Sequence, residues 1–196
     1  MLDFPVFIGR KITWKIQTNR IIGLAAVFFT LLATPARADD IVGQASVIDG
    51  DTIEIHGTRI RLWGIDAPES TQLCRNDDSD LYQCGRASAT ALAGLLWAIK
   101  RPVRCSPVDL DQYGRTVATC SLGTPGPDIG QWLVANGHAL DWPQYSKGKY
   151  EAAQRGAEKA GRGMWSGSFG EPWKYRACVK AGGRPEACSD DAADRR

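Results

Sequence analysis

The alternation of apolar and polar positions predicts a small β-sheet in the part of the chain that follows residue 40. Between residues 44 and 66 the two kinds of side chain alternate around two turn signals, Asp49-Gly50 and His56-Gly57. This pattern is typical of a meander of half-buried strands. Side chains in a strand alternate between its two faces. The core face is predicted to hold Val47, Ile53, Ile55, Ile60 and Leu62, and the opposite faces Glu54, Arg59 and Arg61.

Three stretches repeat apolar residues at the three- and four-residue steps of an amphipathic helix. In the first stretch the repeat consists of Ala89, Leu92, Leu95, Leu96 and Ile99. The predicted helices cover residues 85–100, 128–136 and 149–160, and two further strands cover residues 103–105 and 116–122. Five strands in two sets, interleaved with helices, predict an α+β domain built on a barrel.

Two polar segments lack this periodicity. Residues 70–84 contain a run of Asp and Ser between two cysteines, and we expect an exposed loop there. Residues 167–196 are rich in Gly, Ser, Pro and charge. That composition predicts a loosely packed, cysteine-containing C-terminal extension that is partly disordered at its end. The central domain is therefore expected to span residues 39–166.

Residues 1–38 have the organisation of a signal peptide. A basic stretch precedes an uncharged run at residues 21–34, and Ala36-Arg37-Ala38 supplies the small residues that signal peptidase requires. The run of 14 residues is shorter than the roughly 20 that a membrane-spanning helix needs. We therefore predict cleavage after Ala38 and export to the periplasm or the medium. An uncleaved membrane anchor is the alternative.

The composition is that of a globular protein, because 43% of the 196 residues are hydrophobic and 23% are charged. Collagen, coiled coils and wholesale disorder are thereby excluded. The chain has 24 Lys and Arg and 22 Asp and Glu, but residues 1–38 hold five of the former and one of the latter. The remainder has 19 basic and 21 acidic residues, a formal charge of −2. Binding of a polyanion would thus depend on local charge placement.

All six cysteines lie after the predicted cleavage site: Cys74, Cys84, Cys105, Cys120, Cys178 and Cys188. An even number of cysteines in an exported chain favours disulfides. Of the 15 possible connectivities, sequential pairing closes three short loops without crossing: Cys74 with Cys84, Cys105 with Cys120, and Cys178 with Cys188. A zinc site is the alternative, but the sequence contains no C-x-x-C motif, and both histidines after residue 38 are far from any cysteine cluster.

Two carboxylates stand where neighbouring strands of the predicted meander begin or end. Asp51 begins one strand and Asp66 ends the next, so antiparallel pairing would bring them to the same end of the ribbon. Converging carboxylates without a histidine or thiol favour a hard cation, calcium or magnesium. Arg61 and Arg115 are candidate phosphate clamps, because a guanidinium binds phosphate through parallel hydrogen bonds. For each residue taken alone, a turn or a surface ion pair is the ordinary alternative.

Three segments occur in order along the chain: VIDGDTI at 47–53, IRLWGIDAPE at 60–69 and DQYGR at 111–115. In sequence and spacing they resemble the motifs of the thermonuclease (micrococcal-nuclease-like) family, and the resemblance covers roughly residues 42–166. It implies a five-stranded OB-fold β-barrel with about three packed helices. It also implies calcium-dependent endonucleolytic cleavage of DNA and RNA that leaves 3'-phosphates.

The resemblance assigns a metal site and an acidic group to the second motif. Asp51 and Asp66 match the carboxylates that bind calcium in the family. Ala67 matches a position whose backbone carbonyl completes that site. Glu69 matches the acidic residue beside the attacking water, so it is expected to accept or to orient the water proton.

The resemblance also assigns the groups that bind the substrate. Arg61 and Arg115 match the two arginines that bind the scissile phosphate, where they would neutralise the charge of the transition state. Tyr113 resembles the tyrosine beside the nucleotide. Trp142 and Tyr145 are candidate base-stacking residues.

The resulting hypothesis is an exported, monomeric, calcium-dependent nuclease. It has DNA and RNA as substrates and no stable protein partner, and it contacts a membrane only if the N-terminal segment stays uncleaved. The alternative is a catalytically silent OB-fold module that binds nucleic acid or a protein. The presence of Arg61, Glu69 and Arg115 favours the enzyme.

Overall fold

The alternating segment forms the centre of a six-stranded sheet in the computed structural model, which describes residues 39–189. The strands of the described chain are β1 (Ile41–Gly43), β2 (Ala45–Asp49), β3 (Thr52–Ile55), β4 (Thr58–Leu62), β5 (Ile65–Asp66), β6 (Leu73–Arg75), β7 (Leu81–Gln83), β8 (Val103–Leu110), β9 (Thr116–Leu122), β10 (Leu140–Asp141) and β11 (Ser168–Phe169). The helices are α1 (Cys84–Ile99), α2 (Ile129–Ala135), α3 (Pro143–Ser146), α4 (Glu151–Lys159), α5 (Pro172–Lys180) and α6 (Pro185–Ser189), with a 3-10 helix at Gly163–Ser166.

The predicted meander is present as β2, β3 and β4, which pair antiparallel in chain order. His56 and Gly57 form the tight turn between β3 and β4, both with positive φ, 51° and 80°, as a twisted two-residue hairpin turn requires. Four of the five predicted core residues are buried, whereas Val47 on the edge strand β2 is half-buried. The alternation of the sequence therefore predicted the burial of this part of the sheet correctly.

The main sheet has the strand order β1-β8-β9-β4-β3-β2. β4 and β9 run parallel, and the other neighbours run antiparallel. The prediction of an α+β domain is confirmed, but this sheet has six strands rather than five. In the described residues no backbone pairing joins the edge strands β1 and β2. The hydrogen bonds of this sheet therefore do not close it into a barrel. The additional strand is β1, which was too short for its pairing with β8 to be predicted.

The three predicted helices correspond to α1, α2 and α4, with ends that differ by one or two residues. The backbone N–H of Gln131 donates to the side chain of Asp128, which caps α2. All three helices contribute to the main core, through Leu92, Leu133 and Ala153 among others.

The C-terminal segment, defined here as residues 167–189, was expected to be loosely packed, and that expectation is wrong. β11 pairs with β6, and α5 buries Tyr175. The expected exposed loop at residues 70–84 is observed only for residues 77–80, because the flanking residues form the hairpin β6–β7. Polar composition concealed both elements, which together form the three-stranded sheet β11-β6-β7. The predicted disordered end, residues 190–196, lies outside the described residues.

Three side-chain hydrogen bonds attach the C-terminal segment to the chain around β6. The hydroxyl groups of Thr71 and Tyr175 lie 2.7 Å apart, and Gln72 Nε2 donates to the carbonyl of Gly170 at 2.6 Å. The backbone N–H of Leu73 donates to Ser189 Oγ at 3.0 Å. The segment is therefore an integral layer of the described structure. The predicted domain boundary at residue 166 stays a prediction.

The six cysteines form three disulfides, Cys74–Cys84, Cys105–Cys120 and Cys178–Cys188. This is the sequential pairing, and it leaves no thiolate for the alternative zinc site. Cys105 and Cys120 are register partners on β8 and β9. The other two bridges close the hairpin β6–β7 and join α5 to α6.

The predicted signal peptide, residues 1–38, lies outside the described residues. From residue 39 to residue 189, no helix has both the length and the apolar character that crossing a membrane requires. Cleavage after Ala38 and export stay predictions.

We expect the double substitution Cys105→Ala and Cys120→Ala to lower the free energy of unfolding by about 3 kcal/mol, because the bridge restricts a loop of about this size in the unfolded chain. Both cysteine residues are buried, at 0% and 3% exposure. Urea unfolding of the purified oxidised protein, followed by tryptophan fluorescence, measures the change. A loss below about 1 kcal/mol would contradict this estimate.

Candidate active site

A single cavity of about 570 Å³ collects most of the residues that the motifs single out. Its lining includes Asp51, Arg61, Ala67, Glu69, Tyr113, Arg115, Trp142 and Tyr145. The predicted metal ligand Asp66 is 0% exposed and lies in contact with the lining residue Arg61. The structure thus brings all nine predicted site residues outside the disulfides to one place. The lining also includes Asp49, Asp111 and Arg176, for which no functional role was predicted.

Arg61 joins the two predicted metal ligands. Its Nη1 donates to Asp51 Oδ1 at 3.1 Å, and its Nη2 lies 2.9 Å from Asp51 Oδ2 and 2.7 Å from Asp66 Oδ1. The sheet register explains this meeting, because Arg61 on β4 is opposite Thr52 on β3, directly after Asp51. The predicted convergence of Asp51 and Asp66 is therefore observed, with a guanidinium between them.

The same contacts hold the charge on Arg61. Burial by itself would lower the pKa of this guanidinium, but the neighbouring carboxylates of Asp51 and Asp66 outweigh burial and raise it. The guanidinium carbon also lies 5.8 Å from the centre of the Trp142 ring, within the range of a cation–π contact. Arg61 is thus fixed at the cavity wall as a permanent cation.

The turn after Asp66 brings Ala67 and Glu69 to the cavity. The backbone N–H of Ala67 donates to Asp51 Oδ2 at 3.1 Å, so this turn is bound to the β2–β3 turn. Helix α1 begins against the backbone of Glu69: a Cβ at Gly85 would lie 1.9 Å from the carbonyl oxygen of Glu69. Gly85 therefore permits the close approach that places Glu69 at the rim, where its side chain is 38% exposed.

Arg176 reaches the cavity from α5, and no feature of the sequence predicted it there. Its Nη1 donates to Asp66 Oδ1 at 2.9 Å and to Glu69 Oε1 at 2.8 Å, and its Nη2 donates to Asp66 Oδ2 at 2.8 Å. Burial lowers the pKa of Arg176, but the hydrogen bonds and charges of Asp66 and Glu69 outweigh burial and raise it. The one local signal was Pro172 at the first turn of α5, a position where proline is common. This signal predicts that a helix begins there, but not where the helix packs.

The third motif forms a tight turn between β8 and β9. Asp111 Oδ1 accepts hydrogen bonds from the backbone N–H groups of Tyr113 and Arg115, both at 2.9 Å, and Asp111 Oδ2 accepts from Arg115 Nε at 2.6 Å. Gly114 has a φ of 78°, which glycine adopts without strain. Although burial acts in the opposite direction, the hydrogen bonds from Arg115 and Tyr113 lower the pKa of Asp111. Asp111 thereby orients Arg115.

The aromatic residues of the site differ in accessibility. Tyr113 is 75% exposed and Tyr145 is 48% exposed. Trp142 is half-buried and stacks with Trp173 of α5, with ring centres 6.2 Å apart and planes at 16°. Tyr145 meets the Trp142 ring edge-on at 4.5 Å. The two tyrosines therefore have surface for a nucleobase, while Trp142 contacts arginines and Trp173.

Comparison with known proteins assigns the family. The sequence profile described as "Staphylococcal nuclease homologue" matches residues 59–167. The chain belongs to the staphylococcal nuclease family. It is 43% identical over 148 residues to "Succinoglycan biosynthesis protein ExoI" of Rhizobium meliloti (strain 1021), covering 76% of each chain. It is 31% identical to "Micrococcal nuclease" of Shigella flexneri, covering 80% of this chain and 92% of the relative. It is 30% identical to "Uncharacterized endonuclease" of Escherichia coli, covering 74% and 93%.

Membership of the staphylococcal nuclease family implies an OB-fold and a calcium ion, and the donor set at Asp51 and Asp66 fits a hard cation. Both groups offer carboxylate oxygens, and no thiol is free in the described residues. The four carboxylates of Asp49, Asp51, Asp66 and Glu69 face two guanidinium groups, those of Arg61 and Arg176, which leaves a formal charge of −2. A divalent cation would compensate it.

Two of these carboxyl groups have a raised pKa, chiefly because they are buried. Burial, followed by the charge of Asp51, raises the pKa of Asp49 to about 6. Burial raises the pKa of Asp66 to about 6 as well, against the lowering effect of its hydrogen bond with Arg176. Within residues 39–189, however, no three His, Cys, Asp or Glu side chains are arranged to hold a metal ion. Arg61 and Arg176 hold the oxygens of Asp66 instead.

The substitution Asp49→Asn should stabilise the protein near pH 8 in the presence of a chelator, by a few degrees in Tm. The folded Asp49 has a pKa of about 6 against an ordinary value of 3.8, so the folded state binds more protons between these values and stability falls as pH rises through them. Asparagine keeps the acceptor for the backbone N–H of Asp51 without the charge. Thermal melting near pH 8 and near pH 4 measures the difference.

The advantage of Asp49→Asn should shrink towards zero near pH 4. In the folded protein Asp49 is then protonated, and it is as uncharged as the asparagine that replaces it. The matched control is Asp78→Asn, at an exposed loop position, which we expect to leave Tm unchanged at both values. A stabilisation that grows on acidification would contradict the direction of the pKa shift.

Proposed function

We propose that this member of the staphylococcal nuclease family is an exported, calcium-dependent endonuclease. It would hydrolyse phosphodiester bonds of DNA and RNA and leave 3'-phosphate ends. The observation that supports it most is the joint position of Arg61, Glu69 and Arg115 on one cavity beside Asp51 and Asp66. Two of the three relatives described above carry nuclease names. As part of the proposal, the mixed sheet is the OB-fold barrel of the family.

Arg61 and Arg115 would bind the scissile phosphate from two walls of the cavity. Arg115 binds Asp111 through Nε, and among the described residues its Nη groups donate no hydrogen bond. These groups can donate two parallel hydrogen bonds to two oxygens of one phosphate. Fixed donors of this kind stabilise the charge that develops on the phosphoryl oxygens in the transition state.

Asp51 and Asp66, with the backbone carbonyl of Ala67, would hold the calcium ion, which when bound supplies positive charge to polarise a phosphoryl oxygen. Glu69 at the cavity rim would orient the attacking water and receive its proton. Tyr113 and Tyr145, the exposed aromatic residues of the cavity, would stack on nucleobases. A stacking role for Trp142 stays a prediction.

The three disulfides support the exported location, because disulfides persist in oxidising compartments. The formal charge of −2 after residue 38 supports modest affinity for long polyanions, since affinity grows with the number of phosphates neutralised. A second candidate function rests on the relative from Rhizobium meliloti, whose name refers to succinoglycan biosynthesis and to no nuclease. It is the catalytically silent OB-fold module that binds nucleic acid or a protein.

The substitution Glu69→Gln should lower the cleavage rate by about 100-fold or more, because a general base contributes roughly that factor. The assay is digestion of supercoiled DNA, single-stranded DNA and RNA with calcium, with magnesium, or with a chelator. The product ends are tested for a 3'-phosphate by their response to phosphatase before primer extension. Glu151→Gln, at an exposed position away from the cavity, is the matched control and should keep full activity.

Cleavage that persists in Glu69→Gln, or that does not require a divalent cation, would contradict the proposed mechanism. An inactive but folded protein that still binds oligonucleotides would favour the silent binding module.

The substitution Arg115→Lys should reduce kcat by about 100-fold, as the loss of a single transition-state donor does, with a smaller change in KM. Lysine keeps the charge but loses the planar fork that binds two oxygens at once. Arg155→Lys, on the exposed face of α4, is the matched control. An equal loss in both variants, or a change confined to KM, would contradict a transition-state role for Arg115.

A further inference from the structure

Arg176 covers the buried carboxylate that is proposed to bind the cation. Asp66 is 0% exposed. Its Oδ2 accepts from Arg176 Nη2 at 2.8 Å, and its Oδ1 is shared between Arg176 Nη1 at 2.9 Å and Arg61 Nη2 at 2.7 Å. A cation that enters from the cavity therefore meets two guanidinium groups before it reaches an oxygen of Asp66.

The position of Arg176 is set by the folded C-terminal segment. Its neighbour Tyr175 is 3% exposed and bonds to Thr71 at 2.7 Å. Trp173, one helical turn earlier, stacks on Trp142, and the Arg176 guanidinium lies 5.4 Å from the centre of the same Trp142 ring. The guanidinium is thus tethered to the carboxylate by a helix with its own buried contacts.

A guanidinium and a divalent cation need the same carboxylate oxygens. Both are attracted to the negative charge around Asp66, and each reduces that charge for the other. The two arginines are not equivalent in this respect. Arg61 is a sheet residue that holds Asp51 as well, whereas Arg176 belongs to a segment that lies beyond the family match at residues 59–167. Arg176 is therefore the guanidinium that can leave without disrupting the meander.

We propose that Arg176 is a tethered competitor for the cation, and that the C-terminal segment thereby sets the cation concentration at which the site fills. Cation binding to Asp66 requires the release of Arg176 from at least one oxygen of that carboxylate. This inference rests on the proposed function, because the cation is the proposed calcium ion. The direct consequence is that the loss of Arg176 strengthens calcium binding.

Calcium titration of the purified protein by isothermal calorimetry tests the inference. It is carried out near pH 8, in the same buffer for every variant. The test variant is Arg176→Met, whose stem still covers Trp142 but has no charge. We expect its Kd for calcium to fall by about 10- to 100-fold, the scale of losing charged hydrogen bonds to one competitor. Arg176→Lys, with charge but no fork, should lie between it and the unsubstituted protein.

Lys180→Met is the matched control, because it removes one positive charge from an exposed position of the same helix. We expect it to change the Kd less than twofold. If both variants tighten calcium binding equally, the effect comes from overall charge and the inference is wrong. An unchanged or weaker affinity in Arg176→Met would also overturn it, because Arg176 would then support the site rather than compete for it.

A second variant keeps the test valid if Arg176→Met does not fold, as judged by a cooperative thermal melt. Tyr175→Phe removes the hydroxyl that bonds to Thr71 and so weakens the attachment of α5, while the charge of Arg176 stays. We expect it to tighten calcium binding in the same direction by a smaller factor, about twofold to fivefold, as one neutral hydrogen bond allows. No change in a folded Tyr175→Phe together with no change in Arg176→Lys would overturn the inference.

Direct binding separates this inference from the proposed function. If Arg176→Met tightens calcium binding but the protein cleaves no nucleic acid, the inference stands and the nuclease proposal fails. If cleavage depends on calcium but the Arg176 variants bind calcium as the unsubstituted protein does, the nuclease proposal stands and the inference fails. If neither the unsubstituted protein nor any Arg176 variant binds calcium, the inference and the calcium dependence both fail.

Discussion

The buried ion pairs of Asp51, Arg61 and Asp66 are the constraint on which this site depends. Both carboxylates are at most 3% exposed, and a buried charge is tolerated only when it is paired and hydrogen-bonded. Arg61 meets that requirement for both, and the N–H of Ala67 adds a further bond. The turn before β3, the end of β4 and β5 are thereby held in one arrangement. Loss of one partner would leave another charge buried and unpaired.

The pairing is incomplete, and this connects the C-terminal segment with the site. One guanidinium cannot balance the acidic groups at this end of the meander. Burial adds a separate cost to their charged forms, and it raises the pKa values of Asp49 and Asp66 to about 6. Arg176 supplies a second positive charge from α5, and its contact with Glu69 extends the network to the cavity rim. A divalent cation would supply the same kind of compensation. The segment and a cation are therefore alternatives in one electrostatic balance.

Seven of the nine candidate site residues share a physical property: they lie within the three short motifs, on strands or turns. Asp51 and Arg61 meet because β3 and β4 form a tight hairpin, so local spacing already determines their proximity. Arg115 is oriented by Asp111 within the same turn, again a local arrangement. Arg176 has no such signal. Its separation of 110 residues from Asp66 is bridged by tertiary contacts of α5, namely Tyr175 with Thr71 and Trp173 with Trp142.

The sequence by itself determined the meander, the helices α1, α2 and α4, and the three disulfides, because periodicity and short loop closure act over a few residues. It also determined the family, because the order and spacing of the three motifs can be read from a single sequence. Only the tertiary structure decided the pairing of β1 with β8, the hairpin β6–β7 and the folded C-terminal segment. The strand β1 and the C-terminal segment gain their partners from regions distant in sequence, which no local pattern records. The hairpin β6–β7 pairs locally, but its polar composition lacks the alternation that predicts strands.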